Sequence, residues 1–169
     1  MKKLLVVVLA LFVSVYANAK NKREWWFEIG TGGGMSRVSG LNTGVFCISA
    51  SIYDFYFEVA TNFARGDGEY LDFSSSESYR LDKVCVTSII AGWNINLFKN
   101  KLILLPKIGY TESSAIYNDP IAWDTWYKSK LKGKLYLGGA VKWFFHKNIG
   151  IGIHSALTMP IAAQLHFHF

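Results

Sequence analysis

The sequence predicts an all-β fold: an eight-stranded antiparallel up-and-down β-barrel that crosses a membrane with strands. Three observations predict it. Apolar and polar side chains alternate with a period of two from Trp25 onward, and short and long joints alternate between those segments. The chain also stops inside a strand, on the run "QLHFHF" that ends at Phe169. Composition agrees: 51% of the 169 residues are hydrophobic and 16% aromatic, yet past the N-terminus no run nears the roughly 20 apolar residues that a membrane helix needs.

The first element is "MKKLLVVVLALFVSVYANAK". Lys2 and Lys3 form a positive start, Leu4 to Val15 an apolar centre, and Ala17-Asn18-Ala19 a small-x-small cleavage pattern. Residues 1–19 are therefore predicted to be a signal peptide, leaving 20–169 as one barrel domain, with no Cys beside the cleavage site to take a lipid anchor. Export removes two lysines, so 18 basic against 12 acidic residues become 16 against 12. That mild surplus is scattered rather than gathered into a basic stripe, which argues against nucleic acid as a partner. Cys47 and Cys85 are even in number, but a whole strand is predicted between theirs. Two strand spacings of about 4.8 Å exceed the roughly 7 Å limit for a disulfide, so free thiols are expected, with a chance disulfide near the loops as the alternative.

Strands are predicted near 25–37, 44–53, 55–65, 82–97, 102–113, 129–145, 148–157 and 160–169. In the first, Trp25, Phe27, Ile29, Thr31 and Met35 oppose Trp26, Glu28 and a row of glycines. In the third, Phe55, Phe57 and Val59 oppose Tyr56, Glu58 and Ala60. A face of Gly and Ala suits the crowded inside of a narrow barrel. Pro106 gives up a ladder hydrogen bond inside the fifth strand, and a bulge is expected there. The sixth sets Leu135, Leu137, Val141, Trp143 and Phe145 against Lys132, Lys134, Tyr136 and Lys142. The seventh and eighth place Ile151, Ile153, Leu165 and Phe167 outward, with His154, Gln164, His166 and His168 inward. Tyr53-Asp54, Phe98 to Lys101 and His146 to Asn148 read as short turns, while 66–80 and 114–128 read as long loops.

Closure follows from the backbone. Lipid offers no partner to a bare N–H or C=O, so the last strand must pair with the first as well as with the seventh. That is why the chain ends in mid-strand. Trp25, Phe27, Phe55, Phe57, Trp93, Trp143, Phe145 and Phe167 cluster near the short turns as an aromatic girdle at the membrane interface.

The signal peptide, the unit "AVKWFFHKNIGIGIHSAL" and the C-terminal "QLHFHF" resemble the small OmpA-like and OmpX-like outer-membrane barrel families over residues 25–169. The resemblance implies the bacterial outer membrane as location, its lipid and lipopolysaccharide as surroundings, a monomer, and Phe169 as the signal read by the outer-membrane assembly machinery. No peptidoglycan-binding domain follows the barrel, which departs from the longer OmpA proteins.

Glu28, Glu58, Lys107, Lys132, Lys134 and Lys142 make the largest inward polar set, expected to fill a narrow lumen as an ion-pair network. His154, His166 and His168 invite a metal, but no acid lies near them in sequence to steady the rings, so no metal or cofactor is expected. His154 and Ser155 are adjacent and point to opposite faces, so they do not form an activated pair. In the loops, Tyr70, Phe73, Trp123 and Trp126 are candidate contacts for an extracellular ligand. The expected function is a structural or surface-binding protein, in adhesion or host contact, with no open pore. A lipid A-modifying enzyme or a small-solute channel is the alternative.

Overall fold

A computed structural model of the chain describes residues 27–38, 41–64, 69–70, 80–98, 101–118, 126–129 and 132–169. The proposed signal segment, Trp25, Phe73 and Trp123 lie outside the described residues. The strands are β1 (Phe27–Val38), β2 (Leu41–Ile52), β3 (Phe55–Thr61), β4 (Glu69–Tyr70), β5 (Arg80–Trp93), β6 (Ile95–Leu97), β7 (Leu102–Asn118), β8 (Trp126–Lys128), β9 (Lys132–His146), β10 (Ile149–Ala156) and β11 (Ile161–His168).

Eight staves close into a ring in chain order: β1, β2, β3, β5 with β6, β7, β9, β10 and β11, every neighbour antiparallel. The seam joins the ends of the chain, from Glu28 opposite His168 to Met35 opposite Ile161. Phe169 N–H donates to Phe27 C=O at 2.9 Å, so even the last residue is tied to the first strand. At the short-turn end Tyr53 and Phe98 take the left-handed conformation, with φ of 55° and 48°, which lets the chain reverse tightly.

Alternation sorts the side chains as the period of two requires. In β3 and β11 burial switches residue by residue, with Phe57 56% and Leu165 47% exposed beside fully buried Glu58 and His166. The exposed face of all eight staves is a continuous apolar belt. Near the short turns it carries paired rings: Phe27 with Phe169 at 6.2 Å, Phe55 edge-on to Trp93 at 4.4 Å, and Trp143 with Phe145 at 5.9 Å.

Three departures from the sequence reading have physical causes. The expected bulge at Pro106 is absent: Pro106 pairs with Gly139 in an unshifted ladder, and the strand on its other side breaks instead. β5 ends its β7 ladder at Gly92 opposite Lys107, and β6 resumes it at Ile95 opposite Leu104 in the same register. The missing N–H of Pro106 falls in that gap, where Asn94 turns its own N–H to the Asp54 carbonyl at 2.6 Å. The third strand stops at Thr61, because Asn62 caps the ladder by bonding Val84 C=O and Val86 N–H through its side chain. The long joints are also not free of regular structure. β7 runs on to Asn118 and pairs there with β8, which pairs in parallel with β4. Ser129 bridges the interruption between β8 and β9, its N–H donating to Ala115 C=O and its hydroxyl accepting from Ala115 N–H, both at 2.8 Å.

Candidate functional site

The lumen is filled in layers. At the short-turn end Ile103 and Phe144 pack together as a floor. Nearer the opposite end Val45, Val84, Val86, Ile90, Tyr136 and Met159 form a thicker apolar layer. Hydroxyls are threaded into this layer: Ser88, between Val86 and Ile90 on β5, meets Thr111 at 2.8 Å, Thr111 meets Thr158 at 3.2 Å, and Ser36 donates to Thr158 C=O at 2.9 Å.

Between floor and upper layer lie two similar triads, each of one carboxylate, one ammonium and one imidazole. In the lower, Lys142 Nζ donates to Glu28 Oε1 at 2.5 Å and His166 Nδ1 lies 2.8 Å from the same oxygen, too oblique for an aligned hydrogen bond. In the upper, Lys107 Nζ donates to Glu58 Oε2 at 2.8 Å and stands 2.7 Å from His154 Nδ1, while the Tyr56 hydroxyl also donates to Glu58. The two imidazoles lie parallel, with centroids 5.8 Å apart. Lys142 Nζ sits 4.6 Å from the centre of the Tyr56 ring, which adds a cation–π contact to its ion pair. All six triad residues are buried.

Glycine makes room for this. A Cβ on Gly152 would stand 2.6 Å from His166 Nε2 and 2.7 Å from His154 Nε2, so only a bare backbone fits beneath both rings. Each triad also takes its acid from the N-terminal staves and its base and imidazole from the C-terminal ones. That separation explains why the sequence reading missed acids beside the histidines: Glu28 and Glu58 reach the rings across the lumen, not along the chain. Among the described residues no group of three or more His, Cys, Asp or Glu is placed to hold a metal ion.

Other residues expected in the lumen stand elsewhere. Lys132 and Lys134 are exposed, because β10 ends at Ala156 opposite Gly138 and leaves this part of β9 paired only with β7 among the described residues. His168 is half-buried at the short-turn mouth, its ring edge-on to Phe144 at 6.3 Å and its Nδ1 3.2 Å from Lys147 C=O. His154 is buried and Ser155 exposed, so those neighbours part to opposite faces. Cys47 and Cys85 are free, on β2 and β5 with β3 between.

The second candidate region projects from the end opposite the short turns, where β5, β7, β8 and β4 form a sheet beyond the ring. Tyr70 lies in β4 and Trp126 in β8.

No protein-family model matches the chain, and no curated protein matches it. Solved structures do. Ail, the attachment invasion locus protein of Yersinia pestis, is similar over 87% of this chain and 100% of its own, at 17% identity and a TM-score of 0.57. The chain has the fold of the small OmpA/OmpX-like outer-membrane barrels. Also similar are the N-terminal β-barrel domain of OprF from Pseudomonas aeruginosa, at 14% identity over 86% of this chain and 100% of that one with a TM-score of 0.49, and Neisserial surface protein A, at 12% over 86% and 97% with 0.47. In outer-membrane barrels of this build the apolar outer face meets lipid, the short turns are periplasmic and the longer loops are extracellular.

Proposed function

We propose that this barrel serves at the cell surface, in adhesion or contact with a host, through its extracellular sheet and loops rather than through its lumen. The observation that carries the reading is the filled interior. Two ion-paired triads held between apolar layers favour a side-chain-filled lumen over a solute path, whereas β7, β8 and β4 build a projecting sheet that barrel closure does not need. Ail, named for attachment and invasion, offers a precedent within the fold. Candidate contacts are Tyr70, Phe73, Trp123 and Trp126, aromatic side chains of the type that anchor interfaces. Cleavage after Ala19 and reading of Phe169 by the assembly machinery belong to the same proposal, as does lipopolysaccharide around the outer rim.

Deleting 66–79 or 119–125 tests it. Cells carrying either deletion should lose adhesion to epithelial monolayers or to immobilised matrix, while the barrel keeps its heat-modifiable mobility on SDS gels. Unchanged adhesion with both loops removed overturns the surface role.

A further inference from the structure

The two histidines of the lumen are not equivalent, and the difference lies in what each Nδ1 faces. Lysine carries only donors, so at 2.7 Å the Lys107 ammonium makes His154 Nδ1 an acceptor, and the neutral ring carries its proton on Nε2. His166 Nδ1 faces a carboxylate oxygen instead, Glu28 Oε1 at 2.8 Å. A proton on His166 Nδ1 meets an acceptor. A proton on His154 Nδ1 meets an ammonium, donor against donor.

We propose that His154 is a proton-operated latch on the plug of the barrel. Taking one proton from water onto Nδ1 breaks the Lys107 contact, and the carboxylate oxygen that faces it is then Glu58 Oε2, 3.7 Å away. The ring must turn toward an oxygen that Lys107 and Tyr56 already use. No bond between heavy atoms changes, but the two ion pairs, balanced at Glu28 and Glu58 against Lys107 and Lys142, become net positive between apolar layers. A second proton on the parallel His166 ring adds repulsion across 5.8 Å. The ionisable groups facing this centre are Glu28 from β1, Cys47 from β2, Tyr56 and Glu58 from β3, Lys107 from β7, Tyr136 and Lys142 from β9, His154 from β10 and His166 from β11. Only the two carboxylates can offset the added charge, and each already neutralises a lysine, through Glu28 Oε1 and Glu58 Oε2, although Glu28 Oε2 and Glu58 Oε1 have no hydrogen-bond partner. Acid therefore loosens the plug, whatever the loops bind.

The test uses the mature chain refolded into phosphatidylcholine vesicles, following the temperature at which the folded gel band converts to the unfolded one, from about pH 8 to about pH 4. The wild type should convert at progressively lower temperature as pH falls. His154→Gln, whose amide oxygen still accepts from Lys107 without titrating, should lose more than half of that fall. The double variant His146→Gln/His168→Gln, at the exposed and half-buried histidines of the periplasmic end, should keep it. A His154→Gln protein that falls as far as wild type overturns the latch. Nitrogen NMR of the wild-type imidazoles holds the proposal to account should that variant fail to refold. His154 should show the Nε2–H tautomer at neutral pH and become imidazolium in step with a change at the Lys107 ammonium, and titration that leaves Lys107 unmoved overturns it.

Discussion

Removing the Lys142 ammonium is the sharpest probe of the lower triad. Lys142→Met keeps the length and apolar stem of the side chain but leaves the buried Glu28 carboxylate without the cation that stands 2.5 Å from it. At that distance the gross attraction is about 6–7 kcal/mol for an effective dielectric constant of about 20. The lysine's own burial also costs free energy, which the methionine avoids, and His166 can take a proton and stand in at 2.8 Å. The measured loss should therefore be about 3–5 kcal/mol, as for other buried pairs broken on one side. Adding Glu28→Gln removes the stranded charge and should recover most of that loss. Urea unfolding from lipid vesicles, read by tryptophan fluorescence and gel mobility, gives all three values. A Lys142→Met barrel within about 1 kcal/mol of wild type, or a double variant no more stable than Lys142→Met, would refute the reasoning.

Gly152→Ala drives a methyl group into both imidazoles and should cost about 1–3 kcal/mol in the same unfolding experiment, whereas Gly44→Ala, whose Cβ would meet nothing within 4 Å, should lie within about 0.5. Val141→Arg places a charge on the apolar outer face of β9, where Val141 is 46% exposed, and should destabilise the barrel in vesicles by about 2–4 kcal/mol; Lys134→Gln, exposed beyond the end of β10, should change stability by less than about 0.5. The filled lumen predicts no steady conductance at neutral pH in planar bilayers, and reproducible single-channel steps there would contradict the sealed plug. Both cysteines should react with an alkylating reagent after unfolding without reductant, since Cys47 and Cys85 are free and a strand apart.

Period-two alternation with a terminal strand was enough to predict eight staves, the closing seam and the outward apolar belt, because in hydrocarbon a sheet must have no edge and each strand has only two faces. Glu28, Glu58, Lys107, Lys142, His154 and His166 were legible as inward residues for the same reason. Their pairing was not, because alternation says which face a side chain takes and nothing about its partner across the lumen. Lys132 and Lys134 obey the same parity yet escape burial, since the stave beside them has ended. Pro106 was legible as a problem, but its solution depended on the strand opposite.

By itself, then, the sequence determined the closed barrel and the chemistry of each face, since those follow from local periodicity and the solvent on either side. Only the tertiary structure decided which acid meets which base, where the lumen stops and the open mouth begins, and that β4 and β8 extend the sheet. Each of these depends on register between strands far apart in the chain, and registers are set by the ring closing as a whole.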